Sequence, residues 1–141
     1  GNFGVVTEFE VKLHPLTSVL LAEGLTPEPE IRGLLECWRE FMVEAPIDFK
    51  WNIDLRLAAH TRKVPTDLRG HPVASSSLIW TGDPETGRPY LQRALSRCSP
   101  DSVINRIVSF IDLQTMADSD FPHGRRYYTK SGYFRDFDDS T

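Results

Sequence analysis

The strongest pattern along the chain is a strict alternation of apolar and polar residues from position 49 to position 57. The odd positions are apolar, namely Phe49, Trp51, Ile53, Leu55 and Leu57. The even positions are polar, namely Lys50, Asn52, Asp54 and Arg56. Successive side chains of a strand point to opposite faces, so the pattern predicts a strand with one buried face and one polar face.

Four further segments also predict strands. Val5–Leu13 has an apolar residue or Thr at every odd position, and Ser18–Glu23 is a short, mostly apolar run. Val73–Trp80 consists mainly of small residues and ends in Leu-Ile-Trp, whereas Val103–Leu113 is longer and alternates less strictly. The β-branched and aromatic residues in these segments favour an extended backbone.

Two segments have the three-and-four spacing of an amphipathic helix. In the first, the apolar residues form a single stripe: Ile31, Leu34, Leu35, Trp38, Phe41 and Met42. Thr26 and Pro27 predict its start, as cap and as first helical residue, and Ala45-Pro46 predicts its end. A second helix is predicted over Gly87–Arg97, where the apolar stripe is weaker.

The predicted order is β-β-α-β-β-α-β, which is typical of an α+β fold. In such a fold an antiparallel sheet has its helices on one face, an arrangement that also suits ferredoxin-like domains. The 141 residues are 40% hydrophobic and 26% charged, which is enough apolar material for one core. No apolar run reaches the roughly 20 residues of a membrane helix, which indicates a soluble protein of unassigned compartment.

A glycine-rich turn, Gly1-Asn2-Phe3-Gly4, runs directly into the first predicted strand. Gly and Asn tolerate positive φ, and glycine lets a backbone approach a bulky ligand. A second segment, FPHGRRYYTKSGYF from Phe121 to Phe134, is rich in aromatic and basic residues. The first segment, continued as GNFGVVTEFEVKLHP, resembles the end of the flavin-binding domain in FAD-linked oxidases of the vanillyl-alcohol-oxidase type, specifically their berberine-bridge-like branch. The second resembles part of that family's substrate-binding domain.

The resemblance implies that the chain is a piece of a larger FAD-dependent oxidoreductase. Residues 1–13 would be the end of the FAD-binding domain, and residues 14–141 a truncated substrate-binding domain. Enzymes of this family oxidise a small organic substrate by hydride transfer to FAD, usually with O2 as acceptor. Most of the family's FAD site lies upstream, so we expect this chain alone to be inactive and not to retain FAD. The implied partners are the missing FAD-binding domain and the small organic substrate.

The resemblance also implies which residues contact the cofactor. In related enzymes the backbone of the opening turn and of the strand start approaches the flavin, which assigns this role to Gly1, Asn2, Phe3, Gly4, Val5, Val6 and Thr7. Substitution of the glycines should then matter more than substitution of the side chains around them. The alternative is a simple turn that precedes a strand.

Two groups of residues are candidates for substrate binding. Lys130 and Ser131 match the family's second segment, which runs beside the active site. The polar strand face with Asn52, Asp54 and Arg56 would line the cavity if the helix-free side of the sheet covers the flavin. The alternatives are that this face meets only water, and that the lysine is exposed and paired with an aspartate that follows it.

The catalytic base is unassigned, with Tyr127 and Tyr128 as candidates. They adjoin Arg125, Arg126 and Lys130, and nearby cations stabilise the charged form of a tyrosine that accepts a proton. The alternative is that one tyrosine packs in the core and the other lies at the surface. In the family the usual base belongs to a motif further downstream, which weakens both candidates.

The net charge, the cysteines and the histidines bear on which partners and metal sites are expected. The formal net charge of −4 and the pI near 5.5 argue against a nucleic-acid or anionic-membrane partner. Cys37 and Cys98 have no metal-ligand spacing and are expected to be buried small hydrophobic residues. His60, His71 and His123 have no carboxylate or cysteine at a ligand spacing, so no metal site is predicted.

A second class of function stays open, namely a free-standing α+β domain that dimerises through its sheet and binds a small ligand without flavin. An RNA-binding sheet is disfavoured, because the aromatic residues of Phe49–Leu57 share the apolar face and the chain is acidic. If the chain is instead a piece, the apolar surface that meets the missing domain should cause association. It should either pair with a second copy, for example as a homodimer through the exposed sheet, or make the piece prone to association.

Overall fold

The computed structural model describes residues 4–13, 15, 18–98, 104–118 and 121–132. Within these residues the strands are β1 (Ser18–Pro27), β2 (Phe49–Leu57), β3 (Pro72–Trp80) and β4 (Ile104–Ser109). They form one sheet in the order β2-β3-β1-β4, and each neighbouring pair is antiparallel. β1 and β3 are therefore the central strands of this sheet, and β2 and β4 are its edges.

The helices of the described chain are α1 (Ile31–Val43), α2 (Pro84–Cys98) and the short α3 (Phe110–Thr115). α1 connects β1 to β2, and α2 connects β3 to β4. Neither connection joins neighbouring strands, because β3 lies between β1 and β2 while β1 lies between β3 and β4. This is the split β-α-β arrangement of ferredoxin-like domains, and the predicted α+β class is confirmed.

α1 and α2 cover the same face of the sheet, which we call the helix face. The core between these helices and the sheet is built from buried residues: Leu20, Ala22, Leu34, Phe41, Phe49, Trp51, Ala74, Leu78, Trp80, Leu91, Ala94 and Leu95. The ring of Phe41 on α1 lies 5.7 Å from that of Phe49 and 6.0 Å from that of Trp51, measured between centroids. The apolar stripe of α1 thus packs against the apolar positions of β2, and this contact contributes to holding the helix on the sheet.

The strand predicted for positions 49–57 has the predicted bounds, but its apolar face is only partly buried. Phe49 and Trp51 are buried and Ile53 is half buried. Leu55 and Leu57 are 63% and 66% exposed. Burial fades along β2 because the core between sheet and helices reaches only the first part of this strand.

The prediction of a strand over Val5–Leu13 was wrong, so the observed order begins with β1 and reads β-α-β-β-α-β-α. Residues 5–13 are described but belong to no strand. Val5, Phe9 and Leu13 are 91%, 80% and 83% exposed. Alternation of residue types defines two faces, but a strand also needs a neighbouring backbone to pair with. The described part of the chain supplies no such neighbour for this segment.

The predicted start of the first helix was also wrong. Thr26 is buried inside β1 and pairs with Ala74 of β3, so it does not cap a helix. β1 continues to Pro27, and a 3-10 turn at Glu28–Glu30 precedes α1. Pairing in the sheet outweighs the local preference of threonine for a helix cap, because it also buries the side chain.

The last predicted strand, Val103–Leu113, is divided between a strand and a helix. β4 ends at Ser109 and α3 begins at Phe110, while Val103 lies outside the described residues. The Ser109 hydroxyl accepts a hydrogen bond from the Asp112 backbone N–H at 3.0 Å and donates one to the Asp112 carboxylate at 2.7 Å. This local cap stabilises the first turn of α3 and ends the strand.

The expectation that Cys37 and Cys98 are buried small hydrophobic residues was wrong. They form a disulfide between α1 and the last residue of α2. Their Cα atoms are 5.7 Å apart, within the usual range for such a bond, and both residues are half buried. The pairing depends on how the two helices lie beside each other, which a separation of 61 residues in sequence does not reveal.

Candidate functional site

The face of the sheet opposite α1 and α2 carries a band of polar side chains, and we call it the open face. The strand register places Asn52, Ser77 and Glu23 in one row across β2, β3 and β1. Asp54 and Ser75 lie in the next row. Directly opposite side chains of antiparallel strands point to the same face, so these residues form a continuous polar surface.

Arg56 connects two rows of the open face. Its Nη2 atom donates a hydrogen bond to the hydroxyl oxygen of Ser75 at 3.1 Å. Asn52, Asp54 and Arg56 are exposed, whereas Ser75 and Ser77 are half buried. The edge strand β2 therefore provides an amide, a carboxylate and a guanidinium, and the central strand β3 provides two small hydroxyl groups beside them.

An ion pair lies on the β1–β4 side of the open face. Nη2 of Arg106 is 2.7 Å from Oε2 of Glu23, and these side chains are 40% and 34% exposed. Arg106 also approaches the sulfur of Met116 at 4.0 Å, and the open-face residues Val19 and Leu21 are buried. The chain that follows β4 therefore helps to cover this half of the face. The half formed by β2 and β3 stays more accessible.

The predicted cofactor-binding segment is described only in part. Residues 1–3 lie outside the described chain, and residues 4–7 are exposed and unpaired with any strand. A Cβ atom added to Gly4 would meet no other atom within 4 Å. No contact within the described chain therefore requires glycine at this position, and the backbone there is open to an approaching group.

The two tyrosines considered for catalysis have different surroundings. The Tyr127 hydroxyl donates a hydrogen bond to the Pro122 carbonyl at 3.0 Å, and its ring lies 5.5 Å from that of Phe121. Gly124 adopts a φ of 86°, a left-handed value that suits glycine, within the turn between these residues. Tyr127 is 49% exposed and Tyr128 is 90% exposed. Neither tyrosine packs in the core.

The C-terminal segment, residues 121–132, has no hydrogen bond or ion pair to the open face within the described chain. Lys130 and Ser131 are exposed, and the aspartates with which Lys130 could pair lie outside the described residues. The structure thus places the three polar residues predicted on β2 on one face, whereas no hydrogen bond or ion pair of the described chain links Lys130 or Ser131 to them.

Sequence reasoning missed four polar residues of the open face, namely Glu23, Ser75, Ser77 and Arg106. The serines occur in a strand of small residues whose alternation is too weak to assign faces. The ion pair depends on which residues the register of β1 and β4 brings close together. One local signal was present, because three consecutive serines are unusual in a central strand, where β-branched and aromatic residues are preferred.

A shallow depression between α1 and α2 is a separate feature. It is lined by Glu40, Phe41, Glu44, Arg93 and Arg97. The Arg93 guanidinium lies 5.4 Å from the ring centroid of Phe41, and Arg97 pairs with Glu40 at 2.6 Å. Both arginines therefore make contacts that hold the helices together, and we assign the depression a structural role.

Comparison with curated proteins finds similarity to an FAD-linked oxidoreductase from Dictyostelium discoideum. The two sequences are 27% identical over 146 aligned positions, which cover 96% of this chain. The chain spans about a quarter of that relative, namely 27% of its length. No protein-family model matches the chain. The similarity supports a relationship with FAD-linked oxidoreductases as a broad class, without indicating a branch.

Within the described residues, no group of three or more His, Cys, Asp or Glu side chains is arranged to hold a metal ion. No helix of the described chain combines the length and the apolar character needed to cross a membrane.

Proposed function

We propose that this chain is part of an FAD-dependent oxidoreductase of the berberine-bridge-like branch. Residues 1–13 are the end of its FAD-binding domain, and residues 14–141 are a truncated substrate-binding domain. The observation that carries the proposal is the similarity to an FAD-linked oxidoreductase along 96% of the chain. The glycine-rich opening and the segment from Phe121 to Phe134, both in the expected order, support the branch.

The N-terminal segment fits a role beside the cofactor. When bound, FAD supplies the hydride acceptor, and O2 is the proposed oxidant that restores it. Residues 4–7 have backbone groups that are not paired in the sheet, and Gly4 leaves open space where a side chain would stand. The proposed contacts are therefore backbone amides of residues 1–7, with glycine needed for close approach.

The open face is the proposed substrate side of the domain. Asn52, Asp54 and Arg56 provide a hydrogen-bonding amide, an acceptor and a cationic donor on one accessible strand. The bond from Arg56 to Ser75 limits the freedom of the guanidinium before any substrate arrives. These groups would orient a small organic substrate by hydrogen bonds, and Lys130 and Ser131 would contact it from the C-terminal segment.

The surroundings of the two tyrosines make one of them better suited than the other to accept a proton. The Tyr127 hydroxyl already donates its proton in a hydrogen bond to Pro122 and supports a local turn. Tyr128 is exposed and makes no such bond within the described chain. Of the two, Tyr128 is the better candidate for accepting the proton that leaves the substrate.

The test is flavin absorbance and fluorescence of the protein encoded by the full reading frame, purified beside this 141-residue chain. We expect the long form to be yellow and the chain to be colourless and inactive, because most contacts with FAD lie outside the chain. Oxygen consumption during substrate screening then tests the electron acceptor. A long form without flavin would remove the oxidoreductase assignment and favour a dimeric ligand-binding module.

A further inference from the structure

The only two cysteines of the sequence are joined to each other. Cys37 lies in the middle of α1, and Cys98 is the last residue of α2. The bond closes a loop that includes the end of α1, all of β2 and β3, and α2. It therefore links the two helices that cover the sheet and encloses nearly half of the chain.

The surroundings of the bond indicate a structural role. Beside it, Arg97 and Glu40 form an ion pair between the same two helices at 2.6 Å. On the inner side of the helices, Leu34 and Phe41 of α1 and Leu91 of α2 are buried in the core. A covalent link at this point fixes the distance between α1 and α2 and reduces the freedom of the unfolded chain.

We propose that this protein matures in an oxidising compartment, where Cys37 and Cys98 form a permanent structural disulfide. Two thiols give up two protons and two electrons to form one S–S bond, and a disulfide of the compartment's oxidising machinery is reduced to two thiols in exchange. Structural disulfides persist in secreted, periplasmic or endoplasmic-reticulum proteins, whereas cytosolic thiols are kept reduced.

Two properties of the pair distinguish it from a catalytic or transient disulfide. The cysteines lie 61 residues apart on two helices, unlike the close spacing of redox-active pairs. Within these 141 residues there is no third cysteine to attack the bond and resolve it. The inference goes beyond the proposed function, because it holds whether or not the parent protein binds flavin.

The first test determines the state of the two cysteines in the full-length protein isolated from its native source. Thiols are trapped with an alkylating reagent during lysis, and peptides are identified by mass spectrometry without reduction. We expect the Cys37 and Cys98 peptides to be found linked to each other and to accept the reagent only after reduction. Alkylation of both cysteines before reduction would overturn the proposal.

The second test separates a structural bond from an incidental one. We expect reductant to lower the melting temperature of the chain by on the order of 10 °C, because the closed loop is long. Cys37→Ser/Cys98→Ser should melt near the reduced chain and should not respond to reductant. Glu40→Gln, which breaks the neighbouring ion pair, should shift melting by only a few degrees, since that pair is exposed.

The melting test does not depend on whether the double variant folds, because the reduced wild-type chain also lacks the disulfide and can be compared with the oxidised chain. Complete reduction, verified by thiol titration, with an unchanged melting temperature would contradict the structural role. A native-source protein with free thiols would contradict the compartment. The flavin content of the long form affects neither outcome, so failure of this inference and failure of the proposed function are distinguishable.

Discussion

Gly87 of α2 lies directly against the indole ring of Trp80 at the end of β3. A Cβ atom on Gly87 would come within 2.5 Å of both Cγ and Cδ1 of this ring. The ring is fixed by a hydrogen bond from its Nε1 to the Asp83 carbonyl at 3.0 Å and by the Tyr90 ring at 5.4 Å. The start of α2 can approach the sheet this closely only because position 87 has no side chain.

We therefore expect Gly87→Ala to destabilise the chain, although alanine has the higher helix propensity. The added methyl group must displace the indole or the helix, which costs about 1–3 kcal/mol in a packed core. The propensity gain of up to about 1 kcal/mol offsets part of this cost. Urea denaturation followed by tryptophan fluorescence measures the net change in the free energy of unfolding.

Gly33→Ala is the matched control for this prediction. Gly33 is an exposed residue of α1, and a Cβ atom there would meet no other atom within 4 Å. We expect the free energy of unfolding of this variant to rise by about 0.5–1 kcal/mol, since only the helix propensity of the residue changes. Equal effects of the two substitutions would show that the contact with Trp80 does not limit residue size.

The exposed N-terminal segment leads to a prediction about association. Val5, Phe9 and Val11 are 91%, 80% and 69% exposed, so an apolar stripe meets water. We expect the chain to associate with increasing concentration, and Phe9→Ser/Val11→Thr to reduce this association. Sedimentation velocity across a concentration series measures it. Ile47→Ser is the control, because Ile47 is fully exposed at a separate site.

A strictly monomeric wild-type chain over that concentration range would contradict the predicted association. It would also contradict the expected homodimer through the exposed sheet. Association that is unchanged in the double variant but lost in Ile47→Ser would place the contact on the turn before β2 instead.

Gly4→Val should separate folding from cofactor binding. Gly4 has a φ of 159°, which valine rarely adopts, but residues 4–13 are exposed and belong to no strand, so this chain can adjust there and its melting temperature should change little. The flavin content of the long form should fall, because a side chain would block the backbone approach to the ring. Val6→Ala is the control, and we expect it to retain flavin. Equal flavin content in both variants would contradict the proposed role of the turn.

The open face is tested through Arg56 in the long form. We expect Arg56→Gln to raise KM about tenfold or more, since a hydrogen bond to a charged group contributes about 1.5–3 kcal/mol. The melting temperature should change little, because the side chain is exposed. Arg88→Gln is the control, because Arg88 belongs to α2, on the other side of the sheet from the open face, and pairs with Glu85 at 3.3 Å. A KM equal in both variants would contradict a substrate-binding open face.

The success of the sequence-based predictions depended on whether local pattern and long-range pairing agreed. β2 was predicted with the observed bounds because apolar and polar residues alternate without exception from Phe49 to Leu57. Val5–Leu13 alternates almost as well but has no strand beside it in the described chain. The change from strand to helix at Ser109 has a local signal, since Asp112 follows at the spacing of a helix cap. The apolar residues Phe110 and Ile111 nevertheless favoured a continuous strand.

The candidate site also contains residues that the local pattern predicted and residues that depend on long-range pairing. Alternation placed Asn52, Asp54 and Arg56 on one polar face, and the structure agrees with that grouping. Ser75, Ser77 and Glu23 were not predicted, because their place beside β2 depends on the register between strands. The similarity to a known oxidoreductase bears on the class of chemistry, and the open-face geometry says only which groups could meet a substrate together.

The sequence by itself determined the α+β class, the extent of β2, the amphipathic stripe of α1 and the resemblance to FAD-linked oxidases. These are properties of residue type and short-range spacing. The tertiary structure alone decided the strand register, the closeness of Gly87 to Trp80 and the bond between Cys37 and Cys98. Such contacts join residues far apart in the chain, and they form only where several packed elements bring them together.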